Sequence, residues 1–545
     1  MQDTQITAAP ATARNPRRWV ILGVICLAQL VVLLDNTVLN LAIPALTEDL
    51  GASTADIQWM INAYALVQSG LLLTAGSLSD RYGRKRALIT GLVLFGLCST
   101  AAAFSQSSGQ LIAARAGMGV GGALLMTTTL AVIMQVFDGE ELPKAIGLWG
   151  AVSSLGFAGG PLLGGVLLAN FWWGSIFLIN IPVAVIGCLA VAKLVPESKN
   201  PLGKRPDVLG AVLSTVGMVG VVYAIISGPE HGWTSASVLM PALVGLAGLT
   251  AFVRWELHVP TPMLDMSFFR NRRFNGAVAG GILVAFGMAG SLFLLTQHLQ
   301  LVLNYSPLEA GLRMAPLALT IVGLNLAGVG AKVLPKLGAA GTIATGMTLL
   351  AGGLAAVATV GGDGYGGMLL GLVLMGSGIA LAMPAMANAI MGSIPPEKAG
   401  VGAGVQGTIT EFGGGLGVAV LGAVLNSRFA ALLPASVAVG TAGSLHEALA
   451  ADSSPDVQLL VRDAFASGVG TSQLIGAAAV FAGGLLAGLL LHRAAKAEAA
   501  SSAAAQAPAA GAAEDRLVPA GAARPGGRSR PLTVLVGGTA RAVIY

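Results

Sequence analysis

The chain of 545 residues carries charged side chains at 10% of its positions and hydrophobic ones at 55%. A soluble protein of this length needs more charge to cover its surface, so this composition excludes a soluble globular fold. The apolar residues form long runs, such as 20–34, 87–104 and 210–227, which approach the ~20 residues that cross a hydrocarbon core of ~30 Å. The sequence therefore predicts a polytopic membrane protein, whose first run is a retained span rather than a cleaved signal.

Fourteen apolar segments are predicted to span the membrane as helices. They are 19–43, 57–78, 87–105, 110–136, 145–169, 174–195, 207–227, 237–256, 275–301, 308–331, 337–360, 367–391, 401–430 and 471–492. With the N-terminus inside, Lys and Arg gather in the predicted cytoplasmic segments, and the predicted external side collects only Arg428 and Arg462. This asymmetry is typical of membrane proteins. It supports the span count and predicts the cell (inner) membrane as location, with both termini cytoplasmic.

Three segments lie outside the predicted spans. Residues 1–18 form a cytoplasmic lead-in. Residues 431–470 are predicted to form a long external loop, which is either a passive solvated connection or a lid. Residues 493–545 form a cytoplasmic tail, and its stretch 497–530 is rich in Ala, Pro, Gly and Ser. Such a composition is typical of disorder.

Span 1 contains Asp35 and span 4 contains Arg115, two charges that are costly in hydrocarbon unless they are paired. From the rise of an α-helix, Asp35 lies about 24 Å from the cytoplasmic start of its span and Arg115 about 8 Å below the external end of its own. Because the two share a depth, we predict an ion pair, which is either a fixed bridge or part of a functional site. Asn36 and Asn40, on the same helix as Asp35, are candidate substrate contacts.

The connection between spans 2 and 3 places one acid and four bases within seven residues. Gly83 permits the sharp turn that so short a loop needs, and Asp80 stands where a carboxylate can meet a helix end or an Arg. The charges either anchor the loop at the cytoplasmic surface or form a conformational latch. The residues of this predicted latch are Gly76, Asp80, Arg81, Gly83, Arg84 and Lys85.

Span 5 combines a proline with closely spaced glycines. The proline removes one helical hydrogen bond, and the glycines make both a bend and a close helix crossing possible. The pattern is either a structural kink or a functional motif. Its residues are Gly156, Gly160, Pro161, Gly164 and Gly165.

Two further charges lie inside predicted spans. Arg313, near the external start of span 10, either extends to the surface or contacts substrate. Glu411 lies near mid-membrane in span 13, where a carboxylate is costly unless it is protonated or paired. Glu411 is therefore a candidate for binding protons or a cationic substrate, the alternative being a bridge between two helices. The sequence contains no phosphate-cradling loop and no His/Cys metal spacing, so we expect an ion gradient as energy source and no cofactor or metal.

These motifs resemble signatures of a known family. Segment 76–88 is similar at every position to the loop signature of the major facilitator superfamily, and 150–165 resembles its antiporter signature. Segment 111–123 resembles the proton-coupling signature, which often has Gln where Met118 stands. Together with the segment 34–44 and the fourteen spans, the chain resembles the drug:proton antiporters of the EmrB/QacA type.

The resemblance implies an all-α fold of two six-helix bundles, 19–195 and 274–492, with two inserted spans within 196–273. It also implies alternating access to a site between the bundles, with proton coupling at Asp35 and Arg115, and a cytoplasmic latch. The implied function is proton-coupled export of drugs or antibiotics. We expect protons, a small molecule and lipid as partners, no nucleic acid, no enzymatic activity and a monomer. Two alternatives stay open: a proton-coupled importer on the same fold, and a non-transporting membrane receptor or scaffold.

Overall fold

Helices account for every regular element in the part of the chain that the computed structural model describes. A helix satisfies its backbone donors and acceptors internally, which hydrocarbon requires of any lipid-exposed segment. The described residues are 16–137, 141–198, 206–360, 365–394, 399–434 and 454–506, together with 437, 445, 448 and 449.

The α-helices of these residues are numbered in chain order. The first eight are α1 Arg18–Val38, α2 Ile43–Leu50, α3 Thr54–Tyr82, α4 Arg84–Ala103, α5 Ser108–Val136, α6 Glu141–Asn170, α7 Ser175–Leu178 and α8 Asn180–Leu194. They are followed by α9 Val208–His231, α10 Ala236–His258, α11 Arg272–Gln297, α12 Pro307–Leu326, α13 Val329–Val360, α14 Tyr365–Met391, α15 Ala399–Leu432 and α16 Pro455–Gln506. Three short helical turns complete the described elements: the 3₁₀ turns Leu39–Ala42 and Met266–Arg270, and the π-helical turn His298–Val302.

The described residues contain 13 helical segments that are long and apolar enough to cross a membrane. The predicted fifth span lies in α6, which runs for 30 residues; its short apolar segment is Gly159–Asn170. The fourteen-span count is consistent with these helices and stays a prediction. Large apolar side chains also cover outward faces; on α10, Leu243 and Leu246 are both more than half exposed. The chain is a multi-pass membrane protein.

Two segments that the sequence predicts as a loop and a tail are helical over part of their length. The predicted external loop 431–470 is helical from Pro455 onward, where α16 begins. The predicted tail 493–545 is helical as far as Gln506, because α16 continues into it. Proline suits the first turn of a helix, and the alanine-rich sequence after Arg493 has a high helix propensity. Residues 1–15 and 507–545 lie outside the described residues, so the predictions for these ends remain predictions.

The connection between predicted spans 10 and 11 also differs from the prediction. Helix α12 ends at Leu326 rather than at 331, and α13 resumes at Val329. The predicted loop at 332–336 is therefore helical, and this helical segment ends at Gly338, whose φ is 66°. Glycine adopts such a left-handed conformation without the steric cost of a side chain.

Buried apolar side chains form two large clusters. The first is built mainly from α1–α8 and includes Tyr64 and Phe95; the second lies in α11–α16 and includes Phe274 and Met347. A smaller cluster, with Met218 at its centre, packs the α9–α10 hairpin against α3 and α15. This clustering agrees with two bundles and an inserted hairpin, whereas the bundle boundaries stay predictions.

Candidate functional site

The two charges of spans 1 and 4 meet in the structure. Asp35 of α1 forms an ion pair with Arg115 of α5, and the two residues are 4% and 1% exposed. Arg115 Nε also donates to the Met60 carbonyl oxygen at 3.1 Å, and the guanidinium lies 4.5 Å from the ring centroid of Tyr64. The predicted ion pair is therefore present, and it connects α1, α3 and α5.

Asp35 has a second donor, which the sequence analysis missed. The side-chain amide of Asn180 in α8 donates to Asp35 Oδ1 at 3.2 Å and to Ser99 Oγ at 2.8 Å. Asn180 is 1% exposed and is the only amide side chain in the apolar run 174–195. That isolation was a signal in the sequence, since an amide in hydrocarbon needs a partner.

Glu411 of α15 lies within electrostatic range of Arg115. Its residue is 9% exposed, and within the described residues its carboxylate forms no hydrogen bond or ion pair. Its charge acts electrostatically on Arg115 and on the buried Tyr64 hydroxyl. The structure thus places Asp35, Arg115 and Glu411, from helices far apart in the chain, within electrostatic range of Tyr64. We call these three residues with Tyr64 the central cluster.

Amide side chains extend from the central cluster along the contact between α3 and α15. Gln58 and Asn62 lie one helical turn apart on α3, and a β-carbon at Gly415 would lie 2.6 Å from Asn62 Oδ1. Buried oxygens of Gln58, Asn62 and Gln68 have no hydrogen-bond partner. Unpaired buried polar groups are costly, so this contact is prepared for a polar ligand group. The sequence analysis missed these residues, although the i, i+4 spacing of the first two was a signal.

The predicted substrate contacts fall into two places. Asn36 is half-buried, while Asn40 is 8% exposed, with an unpartnered Oδ1, in the 3₁₀ turn that follows α1. Arg313 is not part of the central cluster. Its guanidinium lies 3.8 Å from the ring centroid of Tyr305 and 5.8 Å from that of Tyr365. Such stacking stabilises a cation that is partly removed from water, so Arg313 forms a separate aromatic site.

The glycines of the predicted antiporter motif lie at two close helix crossings. Gly156, Gly160 and Gly164 face α1 on both sides of Asp35, and a side chain at Gly160 would overlap Thr37. Gly165 faces the first turn of α12, where its β-carbon would lie 2.8 Å from Leu308 Cα. Because Pro161 lies inside α6 among these contacts, the motif joins the helix that carries Asp35 to a helix of the C-terminal half.

The predicted latch forms its described contacts within the N-terminal half. Arg84 pairs with Asp80 at 2.8 Å and donates to the Ala131 carbonyl oxygen of α5 at 3.1 Å. Lys85 Nζ donates to the carbonyl oxygen of Ala192 in α8 at 2.6 Å. Gly83 has a φ of 123°, which glycine adopts readily. The turn therefore fastens the ends of α3 and α4 to α5 and α8.

The remaining latch residues lie beside this turn. Gly76 precedes it in α3, where a β-carbon would meet only Thr127 Cβ at 3.9 Å. The guanidinium of Arg81 lies 5.9 Å from the ring centroid of Tyr82. Glu197, which the sequence analysis missed, accepts from the Lys85 backbone N–H at 3.2 Å. Its carboxylate also occupies the space beside Gly83.

We expect Asp80→Ala to lower transport about fivefold without changing substrate affinity. The Asp80–Arg84 pair is partly exposed, and such pairs contribute up to about 1 kcal/mol, a factor of about five in a conformational equilibrium. Cysteine accessibility on the two membrane faces measures that equilibrium. Asp49→Ala, which removes an exposed acid near the end of α2, is the control. Unchanged accessibility together with full transport would contradict the latch assignment.

Comparison with known proteins decides the family. The sequence profile of the Major Facilitator Superfamily matches residues 25–418. The chain belongs to the Major Facilitator Superfamily. A structural relative supports the fold: the crystal structure of a bacterial homologue of the human lysosomal transporter Spinster, in an inward-facing conformation. It matches with a TM-score of 0.64 at 15% identity over 89% of this chain and 99% of the other.

Curated members of the superfamily are similar over most of their length. The multidrug efflux pump LfrA of Mycolicibacterium smegmatis is 33% identical over 505 residues, which cover 90% of this chain and all of that protein. The methyl viologen resistance protein SmvA of Salmonella typhimurium is 35% identical over 418 residues, 76% of this chain and 84% of that protein. The central cluster therefore lies in a chain of the transporter fold.

Proposed function

We propose that this superfamily member exports small hydrophobic or amphiphilic compounds in exchange for protons. The observation that carries the proposal is the central cluster, in which Asp35 and Arg115 of the N-terminal half lie close to Glu411 of the C-terminal half. Buried ionisable groups inside a membrane protein are costly and typical of proton or substrate pathways. A cluster shared by both halves is sensitive to their relative movement.

The charges of the central cluster suggest how substrate and proton exchange. Two carboxylates, Asp35 and Glu411, share one cation, Arg115, so that one negative charge is left uncompensated. Either one proton or one positive charge on a substrate neutralises the cluster, and the two therefore compete. A membrane potential of 100 mV supplies about 2.3 kcal/mol per charge, which allows roughly fifty-fold accumulation for one proton.

The chemistry around the central cluster suits amphiphilic compounds. Gln58, Asn62 and Asn40 offer buried amide oxygens without partners, next to apolar helix surfaces, and Glu411 offers a carboxylate. The similar proteins are named for multidrug efflux and for resistance to methyl viologen, which is a dication. We therefore propose lipophilic cations as one substrate class, transported without covalent change.

The proposed direction of transport and the proposed location in the cell rest on the similar proteins and on the sequence. Export, rather than import, is supported by the names of the similar proteins and by the glycine motif around Pro161. The distribution of Lys and Arg supports the cell membrane with both termini in the cytoplasm. Expression in a bacterial strain that lacks its own efflux pumps, followed by a toxicity panel, tests the proposal. We expect resistance to several amphiphilic compounds, abolished by a protonophore; increased sensitivity would indicate an importer.

We expect Glu411→Gln to weaken export of cationic substrates about tenfold or more, the factor that corresponds to about 1.4 kcal/mol of lost charge interaction. Neutral substrates should keep most of their export, because the amide preserves the shape of the side chain. The measurement compares one cationic and one neutral compound, normalised to protein in the membrane. Glu48→Gln, at an exposed acid of α2, is the control. Equal losses for both compounds would remove Glu411 from the binding site.

A further inference from the structure

Two buried acids meet in the α9–α10 hairpin, away from the central cluster. Asp207 precedes the first residue of α9 and is 7% exposed; Glu256 lies near the end of α10 and is 3% exposed. Both carboxylates point to the space above Gly210, where a β-carbon would lie 2.5 Å from Asp207 Oδ2 and 2.7 Å from Glu256 Oε1. Both oxygens crowd the same β-carbon position, so the two carboxyl groups lie next to each other.

The hydrogen-bond donors are unequally divided between the carboxyl groups of Asp207 and Glu256. Asp207 Oδ1 accepts from the Gly210 backbone N–H at 2.9 Å, and the Trp255 indole N–H lies 2.9 and 3.0 Å from the two Asp207 oxygens. Glu256 Oε2 accepts from the Leu264 backbone N–H at 3.0 Å, whereas Glu256 Oε1 is buried with no donor from the protein. Both oxygens of Asp207 therefore have donors, whereas Oε1 of Glu256 has none.

Two buried carboxylates this close repel each other when both are ionised, so the pair favours binding one proton. Glu256 Oε1 is the oxygen that lacks a donor, which makes it the favoured position for that proton. Among the described residues, Asp207 is the charged group that acts on Glu256. The other groups nearby are the neutral Thr74 of α3 and Met263, the exposed Arg254 and His258 of α10, and Asp265, which caps the next 3₁₀ turn.

We propose that Asp207 and Glu256 form a proton-binding site that holds the α9–α10 hairpin in its docked position against α3. The Thr74 hydroxyl lies 3.4 Å from the Asp207 carbonyl oxygen and 3.5 Å from Met263 Sδ, which links the site to α3 just before the latch residue Gly76. Loss of the proton leaves two buried negative charges in contact, which repel each other. Because the docked state binds one more proton than the opened state, docking weakens as the pH rises. The site is independent of the transport reaction, and so is its test.

Infrared spectroscopy of the full-length protein in lipid vesicles tests the proton directly. The wild-type protein at neutral pH should show the carbonyl band of a buried protonated carboxyl group. We expect Glu256→Gln to remove the contribution of Glu256 to this band, which a difference spectrum against the wild-type protein isolates. Asp207→Asn should remove it as well, because the new amide donates to Glu256 Oε1 and makes a proton there unnecessary. Asp456→Asn, which alters an exposed acid of α16, should leave the band intact. A spectrum unchanged by both hairpin variants would overturn the proposal.

Hydrogen exchange at the first turn of α9 tests the consequence for docking. In the wild-type protein, opening around the Gly210 N–H should increase with pH by up to about tenfold per unit, the limit for release of one proton. Glu256→Gln keeps a donor to Asp207 that does not titrate, so opening of the hairpin in this variant should not change with pH. Dividing the exchange rate of the wild-type protein by that of the variant cancels the chemical pH dependence of exchange. The same ratio at every pH would contradict the proposal. If Glu256→Gln does not fold, Asp207→Asn provides the same comparison.

Discussion

Asp35→Asn is expected to abolish proton-coupled transport, with at least a hundredfold loss of roughly 3 kcal/mol, while the protein still folds and inserts. An asparagine oxygen can still accept from Arg115, although the amide NH2 takes the place of the oxygen that accepts from Asn180. The amide cannot bind or release a proton. Glu411 remains as a second counter-charge for Arg115, which limits the cost of removing the ionic partner. The variant should therefore lose proton coupling while it keeps its fold.

Substrate-induced proton release from purified protein in vesicles measures this loss. Exchange of substrate across the vesicle membrane, without a proton gradient, reports whether binding and movement are kept. Asp49→Asn, at an exposed position near the end of α2, controls for the loss of a carboxylate elsewhere. Wild-type proton release from Asp35→Asn would place the proton site at another residue.

We expect Gly160→Ala to reduce transport at least tenfold, whether the substrate moves into or out of the vesicle. The added methyl group would overlap the Thr37 side chain of α1, and overpacking of this kind costs about 1–3 kcal/mol. Because Thr37 follows Asp35 by two residues, the displacement of α1 from α6 also disturbs the ion pair with Arg115. The effect on transport should exceed that on folding, since only one helix crossing is changed.

Gly159→Ala provides a matched control one position away in the same helix. A β-carbon at Gly159 would meet only Leu34 Cδ2 at 3.6 Å, an ordinary contact. We expect this variant to keep wild-type transport in vesicles at equal protein content. Equal activity of the two variants would show that the α1–α6 crossing tolerates separation, and that transport does not depend on the close approach of these helices.

The sequence predicts the helices well because the membrane leaves few alternatives. Each long apolar run has to be a helix in hydrocarbon, and the shared depth of Asp35 and Arg115 follows from helix geometry alone. The sequence predicts less where weak local preferences decide, as at Pro455, where α16 begins inside the predicted loop. A loop-like composition does not prevent a helix when apolar residues and alanines continue it.

The sequence does not specify which residues far apart in the chain lie close together in the fold. The proximity of Glu411 to Arg115 depends on the packing of α15 against α3, which no local pattern specifies. The proximity of Asp207 and Glu256 was missed for a related reason. In the sequence both acids stand at the ends of apolar runs, where charges are ordinarily solvated. Their burial depends on how the hairpin folds back on α3.

The most direct test of proton-coupled export uses purified protein in lipid vesicles with an imposed pH gradient. With an acidic interior, protons leave the vesicle, and an exchanger carries substrate inward whichever way it is inserted. We predict that a lipophilic cation accumulates against its own gradient, that a protonophore abolishes accumulation, and that reversal of the pH gradient prevents it. Accumulation only with an acidic exterior would indicate import coupled to protons. Transport that does not respond to the gradient would contradict proton coupling altogether.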